Sequence, residues 1–178
     1  MGASCSSDAG AVRSTDVKIT DASIVCEAIF FPDAAMPCRS FLRDQRCTRK
    51  RCTFAHEKTS LVKLIRELDG ATRTLEVCVF TITCNEIADA IENAAQRGVS
   101  VRIITDDDQM KSTGSDVARL AKVQNVAVRH DGDPSSHMHH KFCVIDGVTL
   151  INGSFSASPF CRAIDALCCD PVSSICCR

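Results

Sequence analysis

Thr74-Leu75-Glu76-Val77-Cys78-Val79-Phe80-Thr81-Ile82 and, further on, Val99-Ser100-Val101-Arg102-Ile103-Ile104-Thr105 decide the architecture. Both runs are rich in Val, Ile, Phe and Thr and read as strands. Between them Ile87, Ile91 and Ala95 recur at helical spacing, and Gly98 closes that helix. Outward from this unit, Leu61, Leu64, Ile65 and Leu68 place an amphipathic helix ahead of the first run, with Gly70 as its stop. Residues 24–31, bounded by Asp21 and Pro32, read as a buried strand. A helix at 115–122, with Val117, Leu120 and Ala121 apolar, precedes a short strand at 126–130. The order β, α, β, α, β, α, β predicts a parallel sheet with helices on its faces, where sites gather at the carboxyl ends of strands.

The 178 residues amount to one domain, and with 45% hydrophobic and 24% charged residues, 8 Gly and 5 Pro, a disordered or collagen-like chain is excluded. The formal charge of −1 excludes a uniformly cationic nucleic-acid binder, so such a partner would have to meet a local patch. Trp and Tyr are absent, which leaves only Phe, His and Arg for stacking on bases. No run of 18 apolar residues marks a transmembrane helix, and no charged start followed by an apolar run marks a secretory signal. Thirteen Cys without a secretory signal argue against a disulfide framework. The dispersed Cys26, Cys78, Cys84 and Cys143 read as small buried hydrophobes.

The chain divides into a flexible N-terminus at 1–22, a domain at 23–154 carrying an insert at 36–58, and a Cys-rich tail at 155–178 without periodic apolar patterning. Met1-Gly2-Ala3-Ser4-Cys5-Ser6 fits N-myristoylation of Gly2, and Cys5 adds a palmitoylation site, so two acyl chains would hold the protein to a membrane. The plain alternative is a flexible terminus of small residues.

In the insert, Cys38, Cys47, Cys52 and His56 are separated by eight, four and three residues. Three thiolates and an imidazole fill a tetrahedral zinc shell and leave no position for water, so this zinc is expected to be structural. The spacing is similar to that of the CCCH zinc finger of RNA-binding proteins. Arg39, Arg43, Arg46, Arg49, Lys50, Arg51 and Lys58 stand against only Asp44 and Glu57, so positive charge is focused here in an otherwise acidic chain, as phosphate contacts require.

The densest chemistry is His139-His140-Lys141-Phe142-Cys143-Val144-Ile145-Asp146, followed six residues later by Gly153-Ser154. On a strand His139 and Lys141 share one face, and His140 and Phe142 the other. An imidazole and an ammonium aimed at one point suit a phosphate: one attacks phosphorus and the other neutralises its oxygens. Gly153 lets the backbone approach, and the Ser154 hydroxyl can donate to a phosphate oxygen. His-x-Lys-x4-Asp-x6-Gly-Ser resembles the HKD motif of the phospholipase D superfamily. Phe30-Phe31-Pro32-Asp33, Val99 to Asp106, Val128-Arg129-His130-Asp131 and Met138 to Phe142 resemble its small single-motif branch over about residues 24–154.

That resemblance implies a mixed, largely parallel α/β sheet flanked by helices. His139 would be the nucleophile that forms a phosphohistidine, Lys141 and Ser154 would bind phosphate, and Asp146 would support the site; no catalytic metal is expected. It further implies a two-fold homodimer, in which the second chain's His139 serves as acid and base. The branch acts on single-stranded RNA in piRNA biogenesis and on cardiolipin, an anionic phospholipid, and implies the outer mitochondrial membrane, facing the cytosol. The chain departs from the pattern at Ser156, where the family has Asn, and beyond Phe155, where the family continues through further elements. Single-stranded RNA, phospholipid, and a catalytically inactive RNA- or membrane-binding role all stay open from the residues alone.

Overall fold

Helix formation here follows from the apolar stripes and their caps. The computed structural model describes residues 27–110, 112–132 and 135–153, together with the backbone of a strand at Leu167–Asp170. Strand β1 (Ala28–Ile29) leads into a short helix, α1 (Arg39–Leu42), inside the insert. Helix α2 (Ser60–Asp69) buries Leu61, Val62, Leu64, Ile65 and Leu68. Its first amides are satisfied from a distance: the Asp33 carboxylate accepts from Ser60 N at 2.8 Å and Leu61 N at 2.9 Å, and Thr59 Oγ1 accepts from Val62 N. Helix α3 (Asn85–Gln96) buries Ile87 and Ile91 among Ala88, Ala90, Ala94 and Ala95, small side chains that let it lie close to the sheet.

Strands β2 (Thr74–Val79), β3 (Ser100–Thr105) and β4 (Val126–His130) are parallel, joined by α3 and by the short helices α4 (Asp107–Met110) and α5 (Val117–Leu120). Parallel neighbours need such crossovers. Strand β5 (Lys141–Ile145) instead enters antiparallel beside β2, and β6 (Thr149–Asn152) and β7 (Leu167–Asp170) continue the antiparallel part to β1. The sheet order is β1-β7-β6-β5-β2-β3-β4, a mixed α/β sheet flanked by helices. The reversal after β5 is local chemistry: Asp146 and Gly147 both sit at positive φ, 55° and 72°, and Val148 N donates to the Ile145 carbonyl at 3.0 Å. Two central residues at positive φ make the tight hairpin turn that Asp-Gly favours.

Leu75, Val101, Ile103, Ile145 and Ile151 of the sheet meet α2, α3 and α5 in one core. Each fully buried Leu or Ile there contributes roughly 1.5–3 kcal/mol. Strand β3 alternates strictly, with Val101, Ile103 and Thr105 buried and Ser100, Arg102 and Ile104 exposed. Among the described residues the helices therefore cover one face. The other holds an open depression of about 430 Å³ lined by Glu76, Cys78, Arg102, Ile104, Ala127, Arg129 and Phe142. Cys78, Cys84 and Cys143 are buried as the sequence suggests; Cys26 lies outside the described residues. Of the strand expected at 24–31, only Ala28–Ile29 pairs among the described residues, and the helix expected at 115–122 narrows to Val117–Leu120. Strand β7 lies in the segment set apart as a tail and pairs with β6 through Ile151↔Cys169. Gly2, Cys5, Ser154, Ser156, Cys161, Cys176 and Cys177 lie outside the described residues. Among the described residues no helix is long and apolar enough to cross a membrane.

Candidate active site and metal centre

Because β5 runs against β2, its N-terminal end arrives at the edge where β2, β3 and β4 end. His137, Met138 and His139 immediately precede β5 and are delivered to that edge. The Phe80 amide donates to the His140 carbonyl at 3.0 Å and extends the β2–β5 register by one residue. Lys141 Nζ lies 3.0 Å from His139 Nε2 and 3.3 Å from the His139 carbonyl oxygen. With the ammonium as donor, His139 Nε2 is the accepting nitrogen, its lone pair beside a cation. On the opposite side of the chain the His140 and Phe142 rings contact each other, with centroids 6.2 Å apart. Gly153 reaches the same edge, its amide donating to the Lys141 carbonyl at 3.2 Å, so Ser154, which lies outside the described residues, follows directly from it.

Phe80 forms the floor. Its ring meets the His139 ring edge-on at 5.0 Å and the His137 ring at 5.9 Å, with Lys141 Nζ 5.7 Å from its centre. Beside it, Asp106 at the end of β3 is fully buried. Asp106 Oδ1 accepts from Gln109 N at 3.1 Å, and Oδ2 accepts from Met138 N and lies 3.1 Å from His137 Nδ1. Burial works to raise the Asp106 carboxyl, but the hydrogen bonds from Gln109, His137 and Met138 outweigh it and hold the group below its ordinary value. Asp107 and Asp131 adjoin it, the Asp107 amide donating to Asp131 Oδ1 at 3.2 Å. Sequence reasoning assigned no role to Phe80, Asp106 or His137. The available signal was position: Asp106 directly follows an alternating strand, at the carboxyl end where sites gather.

Asp146 stands apart from His139 and Lys141. It follows the far end of β5, about 16 Å from Lys141 at the rise of an extended strand. Its Oδ2 accepts from Thr72 Oγ1 at 2.7 Å and Thr72 N at 2.9 Å, and its Oδ1 from Arg73 N at 2.7 Å and Thr74 N at 2.9 Å. The Thr72 hydroxyl first, then the Thr74 amide, hold the carboxyl far below the usual carboxylate range. This residue ties the β5–β6 turn to the start of β2.

In the insert, Cys38 N donates to the Ala55 carbonyl at 2.8 Å and Ala55 N to the Met36 carbonyl at 2.9 Å, which folds the segment back on itself. One ligand atom each from Cys38, Cys47, Cys52 and His56 lies within 4.8 Å of the others. That spacing and a three-sulfur, one-nitrogen donor set fit a tetrahedral zinc shell. Burial would raise the Cys38 thiol, but the Phe41 and Ser40 amides and the neighbouring Cys47 and Cys52 thiols bring it down to about 6, toward the thiolate that binds metal. Cys47, sharing the cluster, is pushed up. Arg66 of α2 grips Asp44 with both guanidinium amines, and Arg39 reaches Glu86 in the first turn of α3 at 3.7 Å. The insert thus packs against both α2 and α3, and since α3 starts just beyond the end of β2, Arg39 brings one end of it toward the edge that holds His139.

A mixed sheet whose reversed strand brings a histidine and a lysine together at the ends of parallel strands defines a phospholipase D-type architecture, and the chain belongs to the phospholipase D-like family. The family model described as cardiolipin synthase, PLD-like domain, matches residues 64–159. Among relatives, mitochondrial cardiolipin hydrolase of Chlamydomonas reinhardtii is 46% identical over 132 residues, covering 74% of this chain and 58% of the relative. The Danio rerio protein of that name is 37% identical over 131 residues (73% and 57%), and the Homo sapiens protein 35% over 139 residues (73% and 53%). The chain thus spans little more than half the length of these curated relatives. NucT from Helicobacter pylori superposes with a TM-score of 0.60 at 21% identity, covering 83% of this chain and 85% of that one. Nuc from Salmonella typhimurium, a phospholipase D family member, gives 0.60 at 19%, covering 83% of each. Both share the fold.

Proposed function

We propose that this chain is a phosphodiester hydrolase acting through a phosphohistidine on an anionic phospholipid of the cardiolipin type, releasing phosphatidic acid. The observation that carries the reading is the 3.0 Å approach of Lys141 Nζ to His139 Nε2 at the ends of the parallel strands. A phosphate entering there takes the ammonium onto its oxygens and leaves the Nε2 lone pair facing phosphorus. Ser154, next after Gly153, adds a donor to the same phosphate, and Asp146 holds the strand that carries the pair. The names of the relatives support a phospholipid substrate and mitochondrial association. Gly2 and Cys5 would carry acyl chains, the membrane facing the cytosol, and the active unit would be a homodimer. Cys38, Cys47, Cys52 and His56 would hold one zinc ion, which cross-links the insert when bound and takes no part in the chemistry.

A second reading, endonucleolytic cleavage of single-stranded RNA, is favoured by the exposed basic insert at the catalytic edge, where Arg49 lies 5.6 Å from the centre of the Phe54 ring. The test offers vesicles containing cardiolipin and a labelled RNA strand to the purified chain. His139→Asn should lower turnover by at least 10³-fold, on the order expected for loss of a nucleophile, and the wild type should trap an acid-labile, base-stable phosphoenzyme. Turnover by His139→Asn equal to wild type would remove the reading. Binding of RNA or vesicles with no turnover by wild type would assign the chain a binding role instead.

A further inference from the structure

His139 must present one ring nitrogen to phosphorus, yet it precedes strand β5, which starts only at Lys141. What holds its segment lies across the sheet edge, at the end of β3. Among the described residues, Thr105 and Asp106 are the polar residues with no exposed surface at all, and they are consecutive. A polar group buried so completely is costly unless it is bonded, so whatever satisfies this pair is held firmly. Asp106 directs one carboxylate oxygen to its own loop, accepting from the Gln109 amide at 3.1 Å. The other oxygen accepts from the Met138 amide, also at 3.1 Å, and lies 3.1 Å from His137 Nδ1. Thr105 donates its hydroxyl to the Phe80 carbonyl at 3.0 Å, and the Phe80 amide in turn donates to the His140 carbonyl at 3.0 Å. The residue before His139 and the residue after it are therefore both tied to one dipeptide, Met138 directly and His140 through Phe80.

We infer that Thr105 and Asp106 are positioning residues for the reaction, a buried clamp that fixes the main chain on either side of His139 and so aims its ring at the phosphate. This rests on the hydrolase reading above. With no exposed surface, neither side chain can touch a ligand, and both act only through Met138, Phe80 and His140. The hold at Met138 is stiff because a hydrogen bond to a carboxylate is among the stronger kinds, and releasing the amide would leave a buried charge short of a donor. The hold at His140 also sets Phe80, whose ring packs edge-on to the His139 ring with centroids 5.0 Å apart. Lys141, which would hold the phosphate, pairs with Val79 inside the sheet and does not depend on the clamp. Loss of the clamp should therefore slow attack while leaving phosphate binding in place, since a misplacement of about 1 Å costs on the order of 10²-fold in rate.

Bis(p-nitrophenyl) phosphate mixed with an excess of the full chain reports a single turnover through the first p-nitrophenolate released. The rate constant at saturating protein reads attack by His139. The total protein needed for half-saturation reads binding and any loss of folded sites, so a merely structural role would raise it and leave the rate constant alone. Asp106→Asn and Thr105→Val keep the buried shapes while replacing the carboxylate and the hydroxyl. Each should lower the saturating rate constant by about 10-fold or more, with half-saturation within about threefold of wild type. Thr105→Ser, which keeps the hydroxyl, should retain most of the rate. Should Asp106→Asn fail to fold, the two Thr105 variants decide. A wild-type rate constant in Thr105→Val, with or without raised half-saturation, overturns the clamp, as do equal losses in Thr105→Val and Thr105→Ser. The hydrolase reading survives either result if wild type turns over and His139→Asn does not. A wild type that releases no p-nitrophenolate overturns the hydrolase reading and the clamp together.

Discussion

Asp146 accepts four hydrogen bonds through two carboxylate oxygens, three of them from consecutive backbone amides. A group whose folded pKa lies below its unfolded value contributes stability that is fully present above the unfolded value, about 3.9 for Asp, and is lost as pH falls toward the folded one. Wild type should therefore lose melting temperature as pH is lowered below about 4, and Asp146→Asn should start lower and flatten that part of the profile. Parallel profiles for the two proteins, read by thermal denaturation, would take this role from Asp146. His139 and Lys141 were legible as a pair because two residues of a strand share a face, and their contact follows from that period alone. The Asp106–His137 contact was not, since it joins residues 31 apart through the end of one strand and the approach to another. Nothing in local periodicity encodes such a meeting.

The insert is the element whose fold depends most on something other than a core. It buries Pro37 and Cys38 but leaves most of its other side chains at the surface, and it is tied to the domain by exposed ion pairs that contribute little individually. The proposed zinc site of Cys38, Cys47, Cys52 and His56 would then carry its order. One zinc per chain should be measured by metal analysis, Cys52→Ser should abolish it, and brief chelation should melt the insert while turnover of a small soluble diester persists. Loss of that turnover on chelation would place the metal in the chemistry. Elements with their own periodicity, α2, β2, α3, β3 and β4, were readable because each repeats every 3.6 or 2 residues against one core. At the other end of the sheet, β1 was read only as a longer run at 24–31 and β7 was not read at all. Strand β1 is set by pairing with β7, some 140 residues away, and Leu167-Cys168-Cys169-Asp170 carries no alternation to announce a strand. The β5–β6 hairpin was written in the Asp146-Gly147 turn, a signal outweighed by the βαβ rhythm before it.

Across the whole molecule, charge and coverage are segregated. The basic insert is tied to α2 and α3 through Asp44–Arg66 and Arg39–Glu86, and acidic Asp106, Asp107 and Asp131 gather at the ends of β3 and β4. A single strand of RNA bound to the insert would release counterions in proportion to the phosphates it neutralises. Replacing Arg49, Lys50 and Arg51 with Ala should reduce the slope of log K against log salt by about 2, three contacts' worth on a single strand. An unchanged slope in a filter-binding titration would assign these residues to solvation. The two imidazoles edge-on to Phe80 bear on how the site could be watched. In a chain without Trp or Tyr, Phe80→Trp makes position 80 the sole indole, and its emission, quenched by any imidazolium beside it, becomes an optical titration of His137 and His139 in the working protein.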